Sequence, residues 1–264
     1  MSKYKKVKRL FSFNNFKILK SLKYGYEGVI LHLAPFDLSG WNICPLASKG
    51  CIKGCLNTSG LGQLNSTQLS RINKTNYLRY DRQIFLEQLD REIANGIIRA
   101  KKKNKKFCVR LNGTSDLSWE KFKVRDNKTL FELYPNVPFY DYTKNYHRFK
   151  NKLPKNYHLT FSLAEDNFNI ASDISKKTKT NIAVVFRKKL PKKYMGRNVI
   201  DGDKNDLRFL DKPNSIVGLI AKGKARHDTS GFVIDWFFNS NCSRSFTIFS
   251  NIGIVFNRLG YGVF

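Results

Sequence analysis

The stretch Phe107-Cys-Val-Arg-Leu-Asn-Gly-Thr-Ser-Asp116 indicates the fold class of this 264-residue chain. Its first half is a short apolar run, typical of a buried strand, and its second half has the Asn, Gly, Ser and Asp residues of a turn. A continuous apolar run, rather than an alternating one, is typical of a parallel strand that is covered on both faces. The stretch therefore predicts a parallel strand over 107–111 whose carboxyl end carries polar side chains.

Segments of the same kind recur on both sides of this strand. They are Gly28–Leu33, Val137–Asp141, Tyr157–Ser162, Asn181–Phe186, Asn198–Ile200 and Ser215–Ile220. Between the first two strands, Phe85, Leu89, Ile93 and Ile97 recur at helical spacing and predict a helix over Tyr77–Ala100. Strands that alternate with helices or long loops predict an α/β fold, namely a TIM-type (β/α) barrel that is complete or partial.

Polar residues follow most of these strands. In a parallel barrel the carboxyl ends of the strands meet on one face, where active sites are built. We therefore expect one face to hold a cofactor or substrate through Asn112, Ser115, Asp116, Lys144, Ser162 and Asp201. For each residue taken alone, a helix cap or a turn is the alternative explanation. The sequence assigns no catalytic residue.

A loop after the first strand carries three of the five cysteines, Cys44, Cys51 and Cys55, with the spacing C-x6-C-x3-C. Thiols this close can converge on one metal site. A closed zinc site needs four protein ligands, whereas three thiolates suit a [4Fe–4S] cluster with one open iron. Zinc remains an alternative if a remote residue completes the site, and the candidates are His32, Cys108 and Cys242. Simple packing of three cysteines in a glycine-rich loop is the third possibility.

The chain is strongly basic, with 48 Lys and Arg against 20 Asp and Glu and a net charge of +28. Such an excess favours a polyanionic partner, DNA or RNA, although solvated lysines with no specific role are the alternative. Residues 1–24 carry eight Lys and Arg and no acid, interleaved with phenylalanines, and are interpreted as a phosphate-contacting arm. Five lysines within 101–106 indicate a solvated helix end.

The expected organisation is a basic and aromatic arm over 1–24, a barrel domain over 25–235 and a C-terminal extension over 236–264 of unassigned role. No apolar run of the roughly 18 residues that a membrane helix needs occurs, so no membrane partner is expected. The N-terminus lacks the apolar run of a secretory signal, which predicts a cytoplasmic protein with reduced thiols. Neither a Walker loop nor a Rossmann glycine motif is present, which disfavours P-loop nucleotide hydrolysis.

The order of the motifs resembles a family of bacteriophage proteins named after gene product eighty-eight of a mycobacteriophage. The resemblance covers about 28–235 and is carried by the cysteine loop, Arg71, Lys74-Thr75, Val109–Asp116, Trp119-Glu120, Phe139–Lys144, His158–Ser162, Ala183–Phe186, Val199–Asp203, Asp206–Arg208, Val217–Leu219 and Lys222-Gly223. It implies a phage-encoded protein in the host cytoplasm. Some related phage proteins are labelled replication proteins, which implies a place in phage replication.

Four of these motifs are also similar to radical S-adenosylmethionine enzymes, above all the spore photoproduct lyase type. They are the cysteine loop, Arg110–Asp116, and the strand ends at Thr143-Lys144 and Ser162. The similarity implies a [4Fe–4S] cluster on Cys44, Cys51 and Cys55, and S-adenosylmethionine as cofactor. The usual loop of that superfamily is C-x3-C-x2-C, from which this chain departs.

Two functions follow from these observations. The first is an iron–sulfur barrel protein resembling radical S-adenosylmethionine enzymes, which acts on nucleic acid or a nucleotide. The second is a non-enzymatic DNA- or RNA-binding protein of phage replication in which the cysteines hold a structural zinc.

Overall fold

The computed structural model describes residues 4–13 and 16–236. Cys242, a candidate zinc ligand, and the C-terminal extension from residue 237 onward lie outside the described residues.

One mixed sheet organises the described part of the chain. Its strands are β1 Phe11–Ser12, β2 Tyr26–Leu31, β3 Lys106–Arg110, β4 Phe139–Thr143, β5 Tyr157–Ser162, β6 Ile182–Phe186, β7 Lys193–Tyr194, β8 Arg197–Asp201, β9 Ile216–Ile220 and β10 Val233–Ile234. The helices are α1 Phe16–Leu22, α2 Lys49–Lys53, α3 Asn65–Tyr80, α4 Arg82–Lys102, α5 Leu130–Leu133 and α6 Phe168–Thr178.

The strand order is β1-β2-β3-β4-β5-β6-β9-β8-β7, with β10 added to β6. Neighbours from β2 through β6, β9 and β8 pair in parallel, while β1 and β7 are antiparallel edge strands. Successive strands β2 to β6 lie side by side, as they would in the wall of a barrel. The described strands form an open sheet and do not close into a ring. The α/β class is therefore observed, and the barrel stays a prediction.

The face of β2 and β3 that carries the main core is covered by α4. Phe85, Leu89 and Ile93 of this helix pack in one buried cluster with Val29 and Val109 of the strands. The helix predicted over 77–100 is in fact two helices, because the backbone leaves helical geometry at Asp81 (φ −132°, ψ 54°) and α4 begins at the next residue.

The predicted arm is built into the same core. β1 pairs with β2, and the side chains of Leu10 and Phe11 are buried. Both backbone N–H groups donate to the Glu92 carboxylate of α4, at 2.8 and 3.1 Å. Phe11 and Ser12 therefore form one edge of the sheet, and Leu10 and Phe11 contribute to its core.

β6 has two different partners along one edge. The last two residues of β5, Phe161 and Ser162, pair with the first two residues of β6, whereas β10 pairs with the last two residues of β6. β5 therefore ends level with the start of β6, and β10 occupies the same edge of β6 beyond that point.

The other face of the sheet is occupied by the segment after β8. Arg110 of β3 forms a buried ion pair with Asp206 of this segment, with Nη1 and Oδ2 2.9 Å apart. The Phe209 ring packs against the rings of Tyr26 and Tyr140. In the described ranges, no helix combines the length and the apolarity needed to span a membrane.

Candidate functional site

A cavity of about 570 Å³ lies at the carboxyl ends of the parallel strands. It collects eight of the nine residues that the sequence nominates for metal or cofactor binding. Those lining it are Cys44, Cys51, Cys55, Asn112, Ser115, Asp116, Lys144 and Ser162. The structure shows that these eight residues lie around one cavity, and their roles in binding stay predictions.

Asp201 does not line the cavity, which corrects its placement from the sequence. It is the last residue of β8, pairs in register with Gly218 of β9, and is exposed to solvent. Asp203, two residues further on, lines the cavity instead. Its carboxylate accepts hydrogen bonds from the Ile220 N–H, at 3.0 Å, and from the Lys222 ammonium.

The cysteine loop is held in place by a carboxylate from the end of β5. Ser48 caps α2 by accepting a hydrogen bond from the Cys51 N–H, at 3.1 Å. Glu165 in turn accepts from the Ser48 hydroxyl and from the Gly50 N–H, both at 2.7 Å. Gly50 is required here, since a Cβ at this position would lie 2.5 Å from the Phe232 Cβ. Glu165 therefore couples the thiol-bearing helix to the sheet.

Two of the three sulfur atoms accept backbone hydrogen bonds. The Phe36 N–H donates to Cys44 Sγ at 3.3 Å, and the Asn57 N–H donates to Cys55 Sγ at 3.5 Å. Burial raises the pKa of the Cys44 thiol to about 12 and also raises the pKa of Cys55. Without a metal, these two thiols are therefore neutral at pH 7, and metal binding would release their protons.

The ammonium group of Lys144 interacts with the Cys51 side chain. Burial acts to lower its pKa, but the Cys51 sulfur, which interacts with its ammonium group, and the Asp116 carboxylate raise it more. The net pKa lies above the ordinary lysine value, so the ammonium stays charged at neutral pH. Its Nζ also lies 5.5 Å from the centre of the Phe232 ring across the cavity.

Asn112 organises the turn that follows β3 at the cavity. Its Oδ1 accepts hydrogen bonds from Ser115 Oγ, the Leu117 N–H and Trp119 Nε1, at 2.8, 3.0 and 3.1 Å. These three hydrogen bonds satisfy the buried amide oxygen and fix the turn after β3. Asn112 would therefore affect ligand binding by holding Ser115 in position, and not by contacting the ligand.

Asp116 joins the ends of two neighbouring strands. Its carboxylate accepts from Thr143 Oγ1 at 2.6 Å and from the Lys144 N–H at 2.8 Å. The Asp116 N–H donates to the Ile43 carbonyl, one residue before the first cysteine, at 2.9 Å. Asp116 thus sets the position of Lys144 relative to Cys44.

A second carboxylate, Asp141 of β4, is fully buried behind the turn. It accepts hydrogen bonds from the Asn112 N–H at 2.6 Å and from the Tyr157 hydroxyl at 2.7 Å. Burial raises its pKa to about 7, against the lowering effect of these hydrogen bonds and of Arg110 and Arg148.

Other residues that line the cavity were not assigned to the ligand-binding set from the sequence. Among them are Tyr142, Asp203, Lys222 and Phe232. Tyr142 could have been found, because it precedes Lys144 by two residues in an extended segment and so shares its side of the sheet. Phe232 carried no local signal, since it reaches the cavity only through the pairing of β10 with β6.

Across the described residues, no group of three or more His, Cys, Asp or Glu side chains is arranged to hold a metal ion. Of the proposed fourth zinc ligands, Cys108 is fully buried in a cluster with Tyr140 and Leu207, and His32 contacts Ser12 Oγ at 3.4 Å. Neither residue lines the cavity.

Comparisons with curated proteins and with solved structures found no match. The model of one protein family, described as Gene product 88, matches residues 7–235 of the chain. This range includes every described strand and the whole candidate site. The chain therefore belongs to the Gene product 88 family of bacteriophage proteins.

Proposed function

We propose that this phage protein binds a [4Fe–4S] cluster through Cys44, Cys51 and Cys55 and takes a small-molecule cofactor into the adjoining cavity. The observation that carries the proposal is the position of three thiols from one loop on a single cavity at the carboxyl ends of parallel strands. Catalytic sites of parallel α/β proteins are commonly built at this edge.

The donor set suits an iron–sulfur cluster in number and chemistry. Three thiolates leave one iron of such a cluster without a protein ligand. Hydrogen bonds from N–H groups to sulfur, as at Cys44 and Cys55, stabilise the negative charge of thiolates. The Lys144 ammonium beside Cys51 adds a compensating positive charge. Since the thiols are not arranged as metal ligands in this structure, loading requires their side chains to turn toward a common point.

The cavity fits a cofactor of small-molecule size. Its volume of about 570 Å³ lies within the usual range of ligand sites. Lys144 and Lys222 can bind a carboxylate, and the hydroxyls of Ser115 and Ser162 can hydrogen-bond a ribose or an amine. We accordingly propose S-adenosylmethionine as the cofactor, for which a reduced cluster supplies the electron. The substrate class that the charge of the chain favours is a nucleotide or a nucleic acid.

The test is the metal content of protein purified without air. We expect about four iron and four sulfide per chain and a broad visible absorption band, as a [4Fe–4S] cluster requires. Replacing Cys44, Cys51 or Cys55 by alanine should abolish both. Cys108→Ala is the matched control, because this cysteine is buried away from the cavity, and its iron content should stay at the wild-type level. Colourless wild-type protein with one zinc per chain would overturn the proposal.

Cofactor binding is tested separately on the iron-loaded protein. Adding S-adenosylmethionine to the reduced protein should change the electron paramagnetic resonance spectrum of the cluster. Lys144→Met should weaken this response while iron is retained. An unchanged wild-type spectrum at saturating S-adenosylmethionine would contradict the proposed cofactor but would not contradict the proposed cluster.

For the alternative of a structural zinc in a nucleic-acid-binding protein, His32 and Cys108 do not line the cavity, and the third candidate ligand, Cys242, lies outside the described residues. The same elemental analysis distinguishes the two metals.

A further inference from the structure

Lysine is concentrated in connections that lead into the parallel strands. Segment 101–106, before β3, has five lysines, and segments 150–155 and 176–179, before β5 and β6, have three each. None of the three segments contains Asp or Glu. Because the strands are parallel, these connections lie at the amino-terminal edge of the sheet, opposite to the cysteine cavity.

Helix electrostatics explain only part of this pattern. Lys101 and Lys102 end α4, and Lys176 and Lys177 end α6, where positive charge is favoured by the helix dipole. Lysines outside the helices, such as those at 106, 152 and 155, have no such explanation and are exposed. The buried Glu27 of β2 is paired with Arg99 and Lys103, at 2.6 and 3.2 Å. The edge therefore presents uncompensated positive charge.

A groove of about 960 Å³ runs into this basic edge. Lys101, Lys105 and Lys106 line it together with Tyr24 and Tyr26, and no acidic residue is among its lining. The Tyr24 side chain is 40% exposed. Lys106 Nζ lies 6.0 Å from the centre of the Tyr26 ring. Aromatic rings beside lysines are the combination that binds single-stranded nucleic acid, since bases stack on the rings while ammonium groups contact phosphates.

We infer that this groove, with the lysine-rich connections around it, binds single-stranded nucleic acid without reading its sequence. The cavity and the groove lie at opposite ends of the strands. Loss of nucleic-acid binding and loss of the iron–sulfur cluster can therefore be measured independently of each other.

The first test removes charge from the groove. The variant K101Q/K105Q/K106Q should bind a fluorescent oligothymidine at least about 10-fold more weakly in an anisotropy titration. The slope of log affinity against log salt should fall by about 2, since each lost phosphate contact on a single strand contributes about 0.7. The matched control K121Q/K128Q/K192Q removes the same charge from exposed positions outside the groove and the cavity and should lose less than about 3-fold. Equal losses in both variants would overturn the inference.

The second test concerns base stacking. Tyr24→Leu should weaken binding by about 5-fold or more, because an aromatic platform for one base is lost. A duplex of the same length should compete poorly with the single strand. If the duplex competes equally well and Tyr24→Leu binds like wild type, the groove is not a site for single strands. Iron content should be the same in all these variants.

Discussion

Asp141 shows at the residue scale how burial couples charge to stability. Its carboxyl group is fully buried and its pKa is about 7, above the ordinary value near 3.8 that the unfolded chain should have. The folded state therefore holds this proton more tightly than the unfolded state does. Its contribution to stability is present below about pH 4 and is lost as the pH rises to about 7.

Asp141→Asn should remove this pH-dependent contribution. The free energy of unfolding of wild type should fall relative to that of the variant between about pH 4 and pH 7, with a slope of up to about 1.4 kcal/mol per pH unit. Urea denaturation of both proteins over this range measures the difference. A difference that stays constant with pH would show that Asp141 is ionised throughout.

Gly50 is the residue at which the cysteine helix approaches the rest of the site most closely. Gly50→Ala would place a methyl group 2.5 Å from the Phe232 Cβ, and we expect a loss of about 1–3 kcal/mol in the free energy of unfolding. Lys49→Ala, in the same helix but exposed, should change it by less than about 0.5 kcal/mol. Similar values for the two variants would contradict the close packing of α2.

At the scale of elements, the sequence located the parallel strands well because each is a short apolar run that ends in turn residues. β5, at Tyr157–Ser162, has the predicted bounds, and β3 is shifted by one residue. The break between α3 and α4 was missed because apolar spacing continues across Asp81 in the sequence. The spacing of apolar residues predicts which side chains are buried. The position of a helix break depends instead on how the two helices pack on the sheet.

The link between α2 and the end of β5 depends on a single carboxylate. Glu165→Gln should weaken the hydrogen bonds to Ser48 and Gly50, and we expect a loss of about 1–3 kcal/mol because bonds to a charged acceptor are among the stronger ones. Iron retention during gel filtration should fall with it. Asp166→Asn, at the exposed neighbouring position, is the control and should behave as wild type. Equal iron retention in both variants would argue against a positioning role for Glu165.

At the scale of the whole molecule, the buried ion pair between Arg110 and Asp206 joins β3 to the segment that follows β8. Arg110→Met should cost about 3–5 kcal/mol, since it removes the guanidinium that pairs with the buried Asp206 carboxylate. The double variant R110M/D206L should recover part of this loss, as a double-mutant cycle by urea denaturation would show. The exposed pair Lys123–Glu132 is the control, with an expected coupling below about 1 kcal/mol. Additive losses at Arg110 and Asp206 would mean that the pair does not act as a unit.

The sequence could place most of the candidate site because parallel strands bring their carboxyl ends together. This geometric rule accounts for Asn112, Lys144 and Ser162 on one cavity. It could not choose between Asp201 and Asp203, since that choice depends on where β8 ends and how the chain turns after it. The pairing of the N-terminal residues with β2, and of β10 with β6, joins segments far apart in the chain, and no local pattern reports it.

The late position of Phe232 in the chain has a consequence for the synthesis of this protein. Phe232 lines the cavity and contacts α2, which carries Cys51, yet the ribosome adds it about 180 residues after the cysteine loop, roughly 10–35 s later at ordinary translation rates. During that interval the cavity lacks one wall. Under the proposed function, the three thiols would then be open to oxidants and to incoming iron alike, and metal loading on the nascent chain would be faster than loading of the finished protein.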